Sequence, residues 1–357
     1  MNASGVGYPA GMRLLRFLRA HPVAVTVAAI AIATVAVVAI ASAYGWAAFG
    51  QAWSALQPGW IVLVVAGELA AMPAYAVAYR VLAERGGGPR LSFPLVLRVV
   101  AAGFGLFSVR GGFSLDKRAF HSLEGDEESA TVRVLALGAL EWALLAPVAW
   151  ITAVILLVQG DPKPMTSLLW PWAVLVPVGF VVGFWFAAPA RRERLCGGRG
   201  RVRRAIGEVL RGIDMVRELA RDIGSTWPAW VAAGLYWAFD IASFYGAARF
   251  IGLHLTVGEA VLAYATGYAL TRRSMPMGGA GATEVLMTFS LHWVGQPVPL
   301  ALATVVVYRV FNFLVPAVLA LLVRPRVAPL LAASSEGRTP TERERRDAGA
   351  PLGIGQR

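Results

Sequence analysis

Six apolar runs constrain the fold more than any other feature, because each has the length of about 20 residues that a helix needs to cross a bilayer core. Of the 357 residues, 57% are hydrophobic and only 15% are charged, a composition unlike that of soluble domains. The sequence therefore predicts an all-α polytopic membrane protein with about six full transmembrane helices. The predicted spans are residues 23–43, 60–79, 134–158, 168–188, 229–250 and 301–323.

The net charge of +12 is concentrated in a few segments. Ten arginines lie within residues 189–227, whereas the loops at 44–59 and 251–257 contain neither Lys nor Arg. Cytoplasmic loops of membrane proteins carry such an excess of basic residues. The asymmetry predicts that both termini and the basic loop are cytoplasmic in a cell membrane, and we expect no nucleic-acid binding.

These patterns divide the chain into three parts and one notable loop. The tail is rich in Glu, Arg, Gly and Pro, which is typical of disorder. The predicted parts are a cytoplasmic N-terminal segment (1–22), a transmembrane domain (23–325) that includes the basic loop (189–227), and a disordered cytoplasmic tail (326–357).

An amphipathic helix is predicted inside the basic loop. Large apolar residues recur there at three- and four-residue steps between Val202 and Ile223, with arginines on the other face. Such a helix could lie on the inner membrane surface and bind anionic lipid. A connector that shields its apolar face against the bundle fits the pattern equally well.

The run from Met275 to Glu284 interrupts two apolar arms, residues 259–271 and 285–294, that are short for a bilayer. Pro276 and the glycines after it cannot continue a helix. Broken helices of this kind build the binding sites of many transporters. The arms form either a re-entrant hairpin or two short crossings, which would make eight helices. The short apolar run at residues 94–109 predicts a second re-entrant or interfacial helix.

Five ionisable residues fall inside or beside the predicted spans, where each costs on the order of 3 kcal/mol unless it is paired or hydrated. They are Glu68, Glu141, Asp240, Glu284 and Arg309. Hydrogen bonding that simply holds helices together is the alternative explanation for each. Because Glu284 and Arg309 flank the broken helix, we predict that this pair has a binding function.

A second candidate anion site is the stretch from Arg110 to Arg118, which contains Gly111, Gly112 and Asp116. Its backbone and cations could hold a phosphate, and a solvated inner loop is the alternative. The four His and the single Cys show no metal-ligand spacing, and no nucleotide-binding or hydrolase motif appears. We expect no cofactor, no metal site and no catalytic residue.

The pattern Pro276-x-Gly278-Gly279-x-Gly281-x-x-Glu284, followed by Tyr308-Arg309, resembles the carboxy-terminal signature of the lysylphosphatidylglycerol synthetase transmembrane, or flippase-like, family. The resemblance covers roughly residues 20–325. In the first hairpin that family has a Pro and a Gly-acid pair, whereas this chain has the run from Ser108 to Asp116 there. The resemblance implies that Asp116 and Arg118 replace the usual acid and base. Where the family often has a Glu-Arg pair, Glu141 is followed here by Trp142.

The resemblance implies a lipid-handling bundle with two re-entrant hairpins that, in some members, moves a modified phospholipid between leaflets. Members that make the lysyl-lipid carry a large soluble aminoacyl-transferase domain after the bundle. Only a short polar tail follows Arg326 here, so we expect no lipid synthesis by this chain alone.

The leading hypothesis is a flippase or transporter for an anionic or phosphate-bearing lipid, phospholipid or polyprenyl-linked, in a bacterial cell envelope. Arg309 with Arg272 or Arg273 would hold the phosphate, while Glu284 with Glu141 or Asp240 would bind a cationic group or a coupling proton. The full predicted binding set is Pro276, Gly278, Gly279, Gly281, Glu284, Arg309, Arg272, Arg273, Glu141, Asp240, Arg110 and Arg118.

Two other functions remain open at this stage. One is a membrane-embedded transferase acting on a lipid-linked substrate, with the same acids as base or metal ligand. The other is a non-catalytic scaffold of an envelope-synthesis complex. Membrane lipids are the expected partners, with envelope-synthesis enzymes or a second copy of the chain as candidate protein partners.

Overall fold

The chain is predominantly α-helical in the part that the structure, a computed structural model, describes: residues 22–85, 88, 90–104, 117, 127–160, 164–196, 200–269, 271 and 279–335. No strand occurs among these residues, and the predicted all-α class is confirmed. The helices are α1 (Pro22–Tyr44), α2 (Trp46–Gln51), α3 (Ile61–Glu84), α4 (Phe93–Phe104), α5 (Glu127–Gln159), α6 (Thr166–Ala187), α7 (Pro189–Cys196), α8 (Arg201–Arg221), α9 (Ile223–Phe250), α10 (Val257–Tyr264), α11 (Ala282–Trp293) and α12 (Val298–Ser335).

Five of these helices, α1, α3, α5, α6 and α12, are long and apolar enough to cross a membrane. Each of the six predicted spans overlaps one long helix, and the protein is a multi-pass membrane protein. The remaining predicted span is α9, which has 28 residues but is not among the five. Its Tyr, Trp, Gly and Ser residues and Asp240 lower its mean hydropathy.

The most extensive helix contact joins α3 to α9. The two backbones approach closely at Gly67, where a Cβ atom would lie 2.6 Å from the carbonyl oxygen of Phe239 and 2.9 Å from Cβ of Ser243. Small residues permit such close approach of helices in membranes. Because Glu68 follows Gly67, this packing brings an acidic side chain against the polar side of α9.

The broken-helix region consists of α10, a π-helical turn at Ala265–Ala269, and α11. At 8 and 12 residues, α10 and α11 are each shorter than the roughly 20 residues of a full crossing. The turn packs tightly on α11, since a Cβ atom at Gly267 would lie 2.5 Å from Cα of Met287. Residues 272–278 lie outside the described part, so the choice between hairpin and crossings stays open.

Two further helices cover the bundle. Helix α4 packs against α3 and α12, and its 12 residues are too few for a crossing. Helix α8 lies across α5 and α6. Leu210, Val216 and Leu219 of α8 are buried in this contact, while Val202 and Ile206 near its start are exposed. The helix thus shields only part of its apolar face.

Candidate functional site

An ion pair links the two halves of the motif that the sequence singled out. Arg309 Nε on α12 donates to Glu284 Oε1 on α11 over 2.7 Å, and the two side chains are 13% and 3% exposed. Glu284 Oε2 accepts from the backbone N–H of Gly281 over 2.6 Å. The carboxylate therefore caps the start of α11, where the helix dipole favours negative charge, and fixes the position of Arg309.

Two glycines make this arrangement possible. Gly281 has φ 83° and Gly279 has φ 72°, values at which a residue with a Cβ is strained. Gly281 also packs against α1, because a Cβ atom there would lie 2.8 Å from Cγ2 of Ile32. The predicted need for glycine at these positions thus has two causes, the backbone turn and the close approach of another helix.

A hydrogen bond between two threonines connects the segment after the π-helical turn to the start of α11. Thr283 Oγ1 donates to Thr271 Oγ1 over 2.7 Å, and Thr271 Oγ1 bonds the carbonyl of Gly267 over 3.0 Å. Both threonines are fully buried. The π-helical turn and the first turn of α11 are therefore held together, although the residues between them are not described.

One turn along α12, Asn312 connects a second acid to the same site. Tyr268 donates its hydroxyl to Asn312 Oδ1 over 2.6 Å, and Asn312 Nδ2 donates to both carboxylate oxygens of Glu68 over 3.1 Å. Ser243 Oγ donates to Glu68 Oε1 over 3.0 Å. The Arg309 guanidinium carbon lies 5.7 Å from the centre of the Tyr268 ring, within the range of cation–π attraction.

A third acid, Asp240, approaches from α9. Tyr308 donates its hydroxyl to Asp240 Oδ1 over 2.7 Å, and the Tyr308 and Tyr268 rings pack edge to face with centroids 5.3 Å apart. Glu68, Asp240, Glu284 and Arg309 are thus gathered at the bundle centre, three acids with one base. Such an excess of acid favours binding a cation or a proton in addition to any anion at Arg309.

Glu141 lies elsewhere, in a groove of about 1030 Å³ that α5, α6 and α8 enclose. It is the one charged residue among the described residues that line this groove. Trp172 Nε1 donates to Thr266 Oγ1 over 2.8 Å and stacks on Trp142, so the π-helical turn forms one wall. The groove and the Arg309 site lie on the two sides of this turn.

The structure therefore divides the predicted binding set. Gly279, Gly281, Glu284, Arg309 and Asp240 lie together, and Glu141 lies in the groove. The other six residues lie outside the described part of the chain: Arg110, Arg118, Arg272, Arg273, Pro276 and Gly278.

Sequence reasoning left Glu68, Tyr268 and Asn312 out of that set. Glu68 carried a signal as an intramembrane acid, and Asn312 lies three residues after Arg309 and so on the same helix face. Nothing in the spacing of Tyr268 indicated its contact with Asn312.

Among known families, the chain matches the family model described as the lysylphosphatidylglycerol synthase TM region over residues 127–320. This stretch is more than half of the 357 residues and contains Glu141, Asp240, Glu284 and Arg309. Comparison with curated proteins found no match.

Proposed function

Because the chain belongs to the lysylphosphatidylglycerol synthase transmembrane family, we propose that it moves an anionic, phosphate-bearing lipid between the leaflets of a cell membrane. The family connects this multi-pass protein with lipid modification or transport. Transport is the more specific step of the proposal, and the buried Glu284–Arg309 pair is the observation that supports it.

The support comes from the way Glu284 holds Arg309. A guanidinium has five N–H donors, and the ion pair engages only Nε, so the terminal N–H groups have no hydrogen-bond partner among the described residues. Guanidinium groups bind phosphate through two parallel charge-assisted hydrogen bonds. Partial burial strengthens such bonds. Glu284 acts as the counter-ion of Arg309 and so lowers the free-energy cost of burying its charge.

The decisive experiment is leaflet exchange of fluorescent phosphate-bearing lipids in proteoliposomes. Arg309→Ala is expected to lower the exchange rate by about tenfold or more, because a hydrogen bond to a charged group contributes about 1.5–3 kcal/mol. Arg309→Lys keeps the charge but loses the fork geometry, so we expect it to restore only part of the rate. A structural role alone would let Lys restore the rate fully.

Arg80→Ala is the matched control, because Arg80 forms an ion pair with Glu84 at the protein surface. Such pairs contribute little, and exchange by this variant is expected to equal that of the wild type. Wild-type exchange by Arg309→Ala protein of normal abundance would overturn the proposal.

The proposal includes cytoplasmic termini and a cytoplasmic basic loop, for which the ten arginines of residues 189–227 are the support. Cys196, the single cysteine of the chain, is a partly exposed residue at the end of α7 within this loop. A membrane-impermeant maleimide should label Cys196 in inverted vesicles and not in intact cells. Labelling of Cys196 in intact cells would contradict the proposal and place the basic loop outside the cell.

A further inference from the structure

The groove between α5, α6 and α8 has a length close to the thickness of the membrane core. Along α6 its lining runs from Ser167 to Phe184, which corresponds to about 26 Å at 1.5 Å per residue. The hydrocarbon core of a bilayer is about 30 Å thick, so one leaflet contributes about 15 Å. The groove is therefore longer than the depth that the acyl chain of an ordinary phospholipid spans.

The lining is suited to hydrocarbon. Apart from Glu141, its described residues are apolar, small or aromatic, with Ser167 and Thr266 as hydroxyl groups near its walls. Helix α6 also faces the surrounding lipid, toward which it exposes Val174, Val178 and Val181. An apolar cavity of this size loses dispersion contacts when it is empty, and it gains them from a chain that enters from the bilayer.

The charges around the groove indicate where the phosphate of a lipid bound in it would lie. Val209, Ile213 and Val216 of α8 line one end, and α8 carries six arginines against three acidic residues. In the middle of the groove a phosphate would face Glu141, a like charge. Charge complementarity therefore favours a phosphate at the α8 end and a chain along the groove.

We propose that this groove binds the hydrocarbon chain of a polyprenyl phosphate, with the phosphate at the arginines of α8. The inference rests on the proposed function and narrows its substrate class from phosphate-bearing lipids in general to those with a chain longer than one leaflet. The chain contacts Thr266 and Ala269, so it touches the π-helical turn whose other side carries Tyr268 against Arg309.

Two glycines keep the groove open. A Cβ atom at Gly179 would meet nothing within 4 Å, and one at Gly183 would meet only Cδ1 of Ile213 at 3.8 Å. Both glycines line the groove. A leucine at either position therefore occupies space that the chain needs, without a clash against the backbone.

The test is direct binding to the purified full-length protein in nanodiscs, measured by displacement of a photoreactive polyprenyl phosphate and mapping of its cross-links. The competitors undecaprenyl phosphate, geranyl phosphate and dipalmitoyl phosphatidate share a phosphomonoester and differ in their chains. Undecaprenyl phosphate should compete at least about tenfold better than the other two, since each added buried methylene contributes to affinity. Undecaprenol, which lacks the phosphate, should compete more weakly than the phosphate.

Gly179→Leu and Gly183→Leu are expected to weaken undecaprenyl phosphate binding by about tenfold. Gly234→Leu on α9 is the matched control, because a Cβ atom there also meets nothing within 4 Å and Gly234 is not in the groove lining. Cross-links should map to α5 and α6. Equal competition by the three phosphates, or equal binding by the Gly179→Leu and wild-type proteins, would overturn the inference.

Binding and transport can fail separately in this design. Chain-selective binding that disappears in Gly179→Leu, together with unimpaired leaflet exchange by Arg309→Ala, would support the groove and reject the function proposed for Arg309. Loss of exchange in Arg309→Ala, together with equal competition by the three phosphates, would support the function proposed for Arg309 and reject the groove.

Discussion

Asn312 on α12 donates to both carboxylate oxygens of Glu68 on α3, over 3.1 Å to each, although 244 residues separate the two in the chain. Both side chains are buried. Through Tyr268, which donates to Asn312, the same amide connects α3 to the turn beside Arg309. This contact therefore joins the first half of the bundle to the broken helix.

Asn312→Leu should destabilise the protein, because it removes a donor to a buried carboxylate and leaves that group incompletely solvated. The expected loss in the free energy of unfolding is about 1–3 kcal/mol, measured by denaturation in mixed micelles. Replacing both Glu68 and Asn312 by Leu should recover part of this loss, since it removes the buried carboxylate, and only the neutral hydroxyls of Tyr268 and Ser243 lose these acceptors. A double variant less stable than Asn312→Leu would contradict this explanation.

The Glu284–Arg309 pair should show strong energetic coupling in a double-mutant cycle. Glu284→Gln and Arg309→Gln each leave a buried charge without its partner, whereas the double variant leaves none. We expect a coupling free energy of about 1–3 kcal/mol from unfolding in mixed micelles. The surface pair Arg80–Glu84 should give less than about 0.5 kcal/mol in the same cycle, and equal coupling in the two pairs would refute the prediction.

Gly67→Ala should destabilise the protein, because the added methyl group would lie 2.6 Å from the carbonyl oxygen of Phe239 and force α3 away from α9. Overpacking of this kind costs about 1–3 kcal/mol and should lower the melting temperature. Gly234→Ala, whose methyl group meets nothing within 4 Å, should melt at or slightly above the wild-type temperature. The prediction fails if the two variants melt together.

A pH-dependent contact is expected at the junction of α8 and α9. Asp222 accepts hydrogen bonds from Ser225 Oγ over 2.5 Å and from Arg85 Nη2 over 2.9 Å. The Ser225 hydrogen bond first, and Arg85 second, hold the pKa of Asp222 below its ordinary value of 3.8. A carboxyl group with a lowered folded-state pKa stabilises the protein above its unfolded-state pKa and loses this contribution as pH falls through the folded-state pKa.

The melting temperature of the wild type should therefore exceed that of Asp222→Asn by a constant amount above about pH 5. The difference should begin to shrink as the pH falls toward 3.8 and vanish once it is below the lowered folded-state pKa, and it should shrink at high salt because the pair is exposed. A difference that persists unchanged in acid would show that protonation of Asp222 is not its cause.

The spans and the broken helix were predictable because their signals are local. An apolar run predicts a helix in lipid wherever it occurs, so all six predicted spans overlap a long helix, although Asp240 and the aromatic residues of α9 make its apolar character weaker. Gly279 and Gly281 were singled out by the motif, and both have the positive φ that only glycine adopts readily.

The contacts between acids and their partners were not predictable in the same way. The sequence marks Glu68 as an acid within a predicted span, but its partners Ser243 and Asn312 lie 175 and 244 residues away. Glu141 looked equivalent to Asp240 in the sequence, yet it faces the groove while Asp240 contacts Tyr308. Which side of a helix an acid occupies depends on the neighbours that pack against it.

Local sequence signals suffice to predict a helical multi-pass membrane protein with a glycine-dependent break before α11, since length, hydropathy and backbone freedom are properties of short segments. The packing of distant helices, by contrast, pairs Arg309 with Glu284, brings Asn312 to Glu68, and leaves a groove between α5, α6 and α8 beside the π-helical turn. These features depend on close packing between helices distant in the chain, and packing geometry is set by all the contacting side chains together.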